Sequence, residues 1–436
     1  MTVELRTIRT PAEQALSDTY TAARSQLPGK GALAKLREDA FRRFSAIGLP
    51  HRRIEEWKYT DLRTLMRDAK PLAGMPDAAT KELAREPDRA LAGIDFQRLV
   101  FVDGTFAAEL SDMSPVPGLT IGSMSGALSN EDPLVAAHVG KVIETDDVAV
   151  ALNTALMGDG AIIRIAGGTH IKQPILLDFI YSSQPSSVFL RSLIVVEAGA
   201  RASIVENHRT SESQINTALE LVVGDGAEVD YLKIVRAQAI HIGTLMSSVG
   251  AQARFNTFNF TLGGLAVRNQ NFVRFDGEGT IAGIRGATLL RGKEHVDNTL
   301  LIDHAAGACQ SREQFRSVLD GESRGIFQGK IIVRPHAQKT DAKMASNALL
   351  VSDEAEADNK PELEIFADDV QCGHGATAGA IDESLKFYLM ARGIPEKEAE
   401  ALLIQAFVGE AIDEISLDGL RDALLSTAAE WLRERT

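Results

Sequence analysis

Short apolar runs, separated by glycine and aspartate, dominate the chain from about residue 97 to residue 382. The runs are rich in valine, isoleucine and phenylalanine, as in LVFVDGTF, AIIRIAGGTHI and LIVVEAGARASIV. Such β-branched runs with turn residues between them are typical of β-strands. No helical periodicity of ten or more residues interrupts them, so the pattern disfavours a sheet built from alternating strands and helices.

The strand pattern repeats around turn glycines. A unit of two or three apolar residues, a glycine-containing turn and a second strand recurs, and its glycines are 31, 27, 24 and 29 residues apart. These glycines are Gly168, Gly199, Gly226, Gly250 and Gly279. A period of roughly 20–50 residues with one such unit per repeat indicates a β-solenoid, whose stacked coils share one core. A β-sandwich is the alternative, because the repeat is imperfect.

Helical patterns flank the strand-rich region. Residues 32–47 carry apolar side chains at helical spacing, and Gly48 with Pro50 signals the helix end. Near the C-terminus, Gly393 ends one predicted helix and Pro395 begins the next. This next helix should present one apolar stripe of Ala399, Leu402, Leu403, Ala406 and Phe407. A last helix carries Leu417, Leu420, Leu424 and Trp431.

The pattern as a whole predicts a mainly β protein in three parts. We expect an N-terminal helical region over residues 1–95, a β-helix core over 96–380 and a helical C-terminal cap over 381–436. The core must hold the inner face of each coil between its neighbours, because one coil alone cannot bury that face.

Composition excludes several classes of function. Lys and Arg number 46 against 60 Asp and Glu, so the net charge is −14 and nucleic-acid binding is not expected. Cys309 and Cys372 are the two cysteines, too few for a disulfide framework, which fits a reducing compartment. Neither a secretory signal nor a run of about 18 apolar residues is present. We therefore expect a cytoplasmic protein without membrane contact.

The segment Cys372-Gly373-His374-Gly375 is the sharpest candidate for chemistry. A thiol and an imidazole two residues apart suit a soft or borderline metal such as iron or zinc. Two ligands do not complete a site, since tetrahedral metals usually take three or four protein ligands. A structural role is the simpler interpretation for a Cys-x-His pair, and among metal sites one shared with a second chain is favoured.

Other reactive residues favour structural roles. Cys309 is expected to be a small buried side chain, since nothing orients it with His304 for nucleophilic catalysis. His295 and Asp297 share a strand face and could meet, whereas Asp303 and His304 point apart. Hydrogen-bonded turn residues are the simpler interpretation of this cluster. The glycine-rich stretches do not match the phosphate-binding loop, so ATP binding by this chain is not expected.

Several segments together resemble the SufB/SufD family. The run Gly48-Leu49-Pro50, followed by Arg53, Glu55, Trp57, Lys58, Tyr59 and Thr60, is similar to that family's GxPxxRxExWKYT signature. Residues 296–353 resemble the family core, and residues 361–382 resemble its C-x-H-G-A-T region. The resemblance spans nearly the whole chain and is most specific over 324–382. The shortness of the chain and its lack of extra cysteines make it more similar to SufD-type than to SufB-type members.

The resemblance implies a right-handed parallel β-helix flanked by helical regions. It also implies a non-catalytic scaffold subunit of the SufB–SufC–SufD complex, which assembles iron–sulfur clusters. SufB is expected to pair with it through the β-helix. SufC, the ATPase of the complex, is expected to dock on the C-terminal helices.

The same resemblance assigns roles to individual residues. His374 is implied to lie at the interface with SufB as a cluster ligand, with Cys372 close to it and facing a SufB cysteine. The iron–sulfur cluster would be transient and shared with SufB, and the isolated chain would bind no cofactor. The side chains expected to bind SufC are Pro395, Leu402, Leu403 and Phe407.

Two other functions compete with the scaffold. A β-helix enzyme acting on polysaccharide would need several Asp or Arg side chains converging on one face, often with Ca²⁺. The acidic residues here are scattered singly through turns. The third hypothesis is a homodimer of the isolated chain, because the unpaired edges of a β-helix can pair with a second copy.

Overall fold

The computed structural model describes residues 9–209, 212–236 and 238–434. Short helices and the first three strands precede the repeats. The helices are α1 (Pro11–Ala23), α2 (Ala32–Ile47), α3 (Leu62–Leu65), α4 (Ala78–Arg85), α5 (Met124–Ser129), α6 (Pro133–His138) and α7 (Val148–Leu156). The strands are β1 (Gln97–Val102), β2 (Thr105–Phe106) and β3 (Leu119–Ser123).

Sixteen consecutive strands without an intervening helix form the body of the described chain. The first eight are β4 (Ala161–Ile165), β5 (Ile175–Ile180), β6 (Ser187–Val196), β7 (Arg201–Arg209), β8 (Gln214–Val223), β9 (Glu228–Arg236), β10 (Ile240–Val249) and β11 (Arg254–Leu262). The next eight are β12 (Ala266–Phe275), β13 (Ile281–Leu290), β14 (His295–His304), β15 (Gln310–Leu319), β16 (Arg324–Val333), β17 (Asp341–Leu350), β18 (Glu356–Ile365) and β19 (Gln371–Gly379).

The strands alternate between two sheets. Even-numbered strands from β4 to β18 form one sheet with β3, and odd-numbered strands from β5 to β19 form the other with β1 and β2. Strands two apart in sequence pair in parallel and in register, as β13 does with β15 and β15 with β17. The parallel β-solenoid is therefore confirmed, and the β-sandwich alternative is wrong.

Left-handed corner residues turn the chain between the sheets. Gly168, Gly199, Gly226 and Gly279 have φ between +64° and +72°, as their repeat predicted. Gly250 does not; the corresponding corner residue is Gln252, with φ of +54°. At each corner the backbone N–H donates to the next coil, as from Gly226 to Ala251 O at 2.7 Å. The prediction therefore missed one corner by two residues, because a non-glycine residue takes the left-handed conformation there.

One N-terminal helix and the C-terminal helices cover the outer faces of opposite sheets. Helix α7 packs on β6 and β8 of the nine-stranded sheet. After β19 come α8 (Glu383–Ala391), α9 (Glu396–Ile412) and α10 (Asp418–Glu434). Helix α9 lies across β13 and β15 of the ten-stranded sheet. The helices expected to cap the end of the solenoid cover its flank instead, where side chains such as Phe260 and Leu289 offer an apolar outer face.

The buried side of α9 differs from the predicted stripe. Ala399 is buried as expected, but Ile404, Val408 and Ile412 provide most of the packing, and Leu402 is exposed. The side of α9 that packs on the sheet is therefore rotated from the predicted stripe. In α10, Leu420, Leu424 and Trp431 are buried, as the pattern indicated. Pro395 precedes α9 as its N-cap residue.

Replacing Gly226 by alanine tests the corner geometry. A Cβ at Gly226 would meet no atom within 4 Å, so the change costs only the left-handed conformation of an L residue. We expect Gly226→Ala to lower the free energy of unfolding by about 1–2 kcal/mol, measured by chemical denaturation. Gly74→Ala is the matched control, since Gly74 is equally open but has no left-handed φ. Equal stability of the two variants would contradict the assignment.

Candidate functional site

The last coil of the solenoid leaves both sheets open. Strand β19 pairs with β17 and strand β18 pairs with β16, and each is the terminal strand of its sheet. Most residues of both strands are exposed or half-buried, unlike the equivalent residues of the coils before them. Unpaired strand edges are ready templates for strands of another chain. We call this feature, formed by β18 and β19, the open end.

Cys372 and His374 lie on β19 at the open end. The register places Cys372 beside Ala342 and His374 beside Met344, both of which are buried in the solenoid core. Alternate residues of a strand share a face, so both side chains belong to the inner face. Cys372 is half-buried and packs against the core, while His374 is exposed because no further coil covers it. The structure thus brings the predicted pair together on one face.

The environment of Cys372 keeps its thiol protonated. Burial raises the pKa of Cys372, and the charges of Asp341 and Glu313 raise it further, against a lowering by the backbone of Ala342. A thiolate is the metal-binding form of cysteine, so a cation must supply the missing stabilisation. Among the described residues no group of three or more His, Cys, Asp or Glu side chains is arranged to hold a metal ion. Cys372 and His374 alone therefore form an incomplete site.

Glu313 is a functional candidate that sequence reasoning missed. It lies on the inner face of β15, beside Met344 of β17, and is 1% exposed. Neither carboxyl oxygen has a hydrogen-bond partner. Burial raises the pKa of Glu313 to about 7, with Ser311 and nearby arginines opposing the rise. The available signal was the alternation of β15, which turns Ser311, Glu313 and Phe315 inward.

Cys309 is a buried residue, as expected. It is 0% exposed, and its Sγ lies 3.3 Å from the carbonyl oxygen of Gly277. His304 Nε2 lies 3.0 Å from Ser311 Oγ, and its ring meets Phe275 edge-on. Burial lowers the pKa of His304 to about 4. Both side chains are thus part of the solenoid core.

The signature residues Trp57 and Thr60, near the N-terminus, contact the nine-stranded sheet. The Thr60 hydroxyl donates to Asp297 Oδ2 at 2.6 Å and lies 3.0 Å from His295 Nε2. Trp57 stacks on the Arg268 guanidinium, 3.9 Å from the ring centre, and Arg268 forms a buried ion pair with Asp297. His295 and Asp297 therefore come together, as their shared face indicated, because both contact the Thr60 hydroxyl. They lie on strand β14 and not in a turn. Their role is to hold the N-terminal segment on the sheet.

The four residues expected to bind SufC divide into exposed and packed side chains. Pro395 and Leu402 are exposed, while Leu403 is half-buried. Phe407 packs against the flank, and the Arg316 guanidinium lies 4.7 Å from its ring centre. Phe387 and Tyr388 of α8 add large exposed rings beside α9, at 71% and 55% exposure. Leu402, Phe387 and Tyr388 are therefore among the exposed apolar side chains of these helices.

Comparisons with known proteins agree over nearly the whole chain. Residues 179–407 match the model of the SufBD core domain of the SUF system for FeS cluster assembly, and residues 10–177 match that of the SufBD protein N-terminal region. An iron–sulfur cluster assembly SufBD family protein of Synechocystis sp. is 30% identical, covering 90% of this chain and 89% of that protein. The Escherichia coli iron–sulfur cluster assembly protein SufD is 29% identical, covering 88% and 90%. Its Bacillus subtilis namesake is 26% identical, covering 86% and 87%.

Within the described residues, no helix is both long and apolar enough to cross a bilayer.

Glu313→Gln should change the pH dependence of stability. The folded-state pKa of about 7 exceeds the ordinary value of 4.5, so folding favours the protonated carboxyl. The wild type therefore loses stability as the pH rises between these values, whereas the amide does not titrate. The stability of the variant relative to wild type should grow by on the order of 3 kcal/mol across this window.

Urea unfolding at about pH 4 and about pH 8 measures this difference. Glu354→Gln, in an exposed turn, is the control and should show no such growth. A difference between Glu313→Gln and wild type that is constant with pH would contradict the buried, unpaired carboxyl.

Proposed function

Because the chain belongs to the SufBD family of iron–sulfur cluster assembly proteins, we propose that it is a non-catalytic scaffold subunit of a SufB–SufC–SufD complex. In this complex it takes the SufD position. The β-helix pairs with SufB, and the helical region of residues 381–436 binds the ATPase SufC. The observation that carries the proposal is the open end, which presents Cys372 and His374 beside two unpaired strand edges.

The open end is suited to a partner that is itself a β-solenoid. A second solenoid could extend both sheets by backbone hydrogen bonds, as parallel and antiparallel strands do at sheet edges. His374 would then lie at the seam, where its neutral imidazole could ligate iron together with thiolate or carboxylate groups from SufB. The cluster is a product passed on by the complex, so its ligands are shared and its stay is transient. An isolated chain could use the same edges to bind a second copy.

The C-terminal helices suit a separate partner. Leu402, Phe387 and Tyr388 are exposed apolar side chains on two adjoining helices, and large exposed apolar groups mark protein interfaces. The opposite side of α9 is fixed to the sheet by Ile404 and Val408. SufC can therefore dock without displacing the helix from the solenoid.

His374→Ala tests the cluster-ligand role. We expect cluster assembly by the reconstituted SufB–SufC–SufD complex to fall at least tenfold, on the order of the loss seen when a metal ligand or its support is removed. Complex formation, measured by size-exclusion chromatography, should persist, since one exposed ring is removed. His336→Ala is the control, because His336 is an exposed turn residue whose ring contacts the Ala305 carbonyl. Full activity of His374→Ala would refute the ligand role.

Leu402→Asp tests the docking of SufC. A charge at this exposed apolar position should weaken SufC binding at least tenfold, because a carboxylate would have to be buried unpaired in the interface. Isothermal titration calorimetry with purified SufC measures the change. Leu83→Asp on α4 is the matched control, since Leu83 is an exposed leucine, at 60% exposure, of a different helix. Unchanged SufC affinity of Leu402→Asp would remove this surface from the interface.

A further inference from the structure

A cavity of about 510 Å³ lies on the outer face of the nine-stranded sheet, beside the N-terminal segment. Strands β12, β14, β16 and β18 form its floor, and residues 54–57 and 145–148 form its walls. Cavities of roughly 300–1,000 Å³ are typical of binding sites in proteins. We call this cavity the side groove.

Four floor residues of the side groove form one row across the strands. The register pairs Phe272 of β12 with Leu301 of β14. It then pairs Leu301 with Lys330 of β16, and Lys330 with Glu362 of β18. A row across parallel strands follows the axis of the solenoid, and three strand spacings make it about 14 Å long. Because β18 is the terminal strand of its sheet, the groove reaches the edge at which a partner would pair.

Hydrogen bonds hold the walls of the side groove in place. Trp57 Nε1 donates to Asp147 Oδ2 at 2.9 Å, which joins the two walls. Gln270 Nε2, from the floor, donates to the same oxygen at 3.0 Å. Arg268 donates to the Glu56 carbonyl oxygen at 2.7 Å. The groove is therefore preformed, and an occupant would lose little free energy in ordering it.

The floor of the side groove is apolar on the side away from β18. Phe272 and Leu301 lie there, and Ile47 and Ile54 add apolar side chains from the N-terminal segment. Ile47 is 36% exposed, and Ile54 and Leu301 are half-buried. Removing such surface from water is favourable, so the groove suits an apolar anchor side chain.

Near β18 the wall and the floor meet through an ion pair. Lys360 Nζ of β18 lies 2.6 Å from Glu55 Oε1 of the N-terminal wall. The Glu55 side chain is 67% exposed, and such surface pairs contribute little to stability. An incoming Lys or Arg can therefore take the place of Lys360 beside Glu55.

Two acidic side chains of the lining are weakly matched. Asp146 has a fully exposed side chain and lies 3.3 Å from Arg43, which is itself 43% exposed. Glu56 is exposed and forms no salt bridge within the part of the chain that the structure describes. The unmatched charge at the groove is thus negative, which suits a basic occupant.

We propose that the side groove receives a segment of the SufB partner, with an apolar anchor on Phe272 and Leu301 and a Lys or Arg beside Asp146 or Glu56. The inference deepens the proposed function and rests on it, because this partner is the one proposed to pair at the open end. An extended segment of about four or five residues spans the row. Backbone pairing at a sheet edge supplies affinity, whereas side-chain pockets supply specificity. The groove would therefore help to select the partner.

Leu301→Arg tests the apolar floor in the full-length protein. Its affinity for purified SufB, measured by biolayer interferometry, should fall at least about tenfold, because a guanidinium would be buried beside the anchor. Ile281→Arg is the matched control, since Ile281 is 39% exposed and lies on β13 of the other sheet. This control should bind SufB like the wild type. An unchanged thermal unfolding midpoint and an unchanged SufC affinity would confirm that Leu301→Arg is folded.

Charge reversal provides variants at exposed positions. Asp146→Lys and Glu56→Lys should each weaken SufB binding about threefold at low salt. The effect should fade at about 0.5 M NaCl, because salt screens exposed charges. Glu131→Lys, in an exposed turn, is the control and should leave SufB binding unchanged.

A photocrosslinking benzoylphenylalanine in place of Ile54 locates the occupant. We expect mass spectrometry of the SufB–SufC–SufD complex to find it joined to a SufB segment that contains apolar residues and a Lys or Arg. Crosslinks to SufC or to a second copy, or none, would overturn the proposal. So would wild-type SufB affinity in Leu301→Arg and in both charge-reversal variants. Failure of the wild type to bind SufB would instead contradict the proposed function, and the inference with it.

Discussion

Each coil of this solenoid can bury its inner face only against a coil on either side, and that constraint shapes every functional surface. At the first end the two sheets are closed by antiparallel strands, β2 on β1 and β3 on β4. At the last end no strand of the described residues follows β18 or β19 in its sheet. The asymmetry leaves one end of the rod able to extend its sheets, and the inner-face residues of the last coil are exposed there.

The inner face also tolerates charge when the charge is paired. In the middle coils Glu206 receives the Tyr231 hydroxyl and lies beside Lys233. Burial lowers the pKa of Lys233 to about 8, while the charge of Glu206 opposes that change. Gly243 of the facing sheet makes room for the lysine, since a Cβ there would fall 1.7 Å from Nζ. The interior thus places Glu206 beside a lysine in one coil and leaves the carboxyl of Glu313 without a hydrogen bond nearer the open end.

The sequence allowed the strands, the solenoid and the Cys372–His374 pair to be predicted, because each depends on local pattern. Corner glycines and β-branched runs act within one coil, and alternation along a strand assigns faces. The corner at Gln252 was not predicted, because a non-glycine residue takes the left-handed conformation there and no sequence pattern indicates it. The position of α9 and its buried side were not predicted, because both depend on the sheet against which the helix packs. The burial of Glu313 without a hydrogen bond was not predicted, because the neighbours of its carboxyl come from other coils and are known only from the folded structure.

Strand β15 lies between the two partner surfaces proposed here, because α9 packs on it and β17 alone separates it from β19 of the open end. On its outer face Arg316 pairs with Glu410 of α9 and lies over Phe407. On its inner face, three residues earlier, is Glu313. Helix α9 also pairs through Glu414 with Arg285 of β13, the neighbouring strand. Force applied to α9 by a docked ATPase would therefore reach β13 and β15 first, and through their register β17 and β19. Packed strands are stiff, so a shift of β15 would be passed to the strands paired with it and would reach the open end.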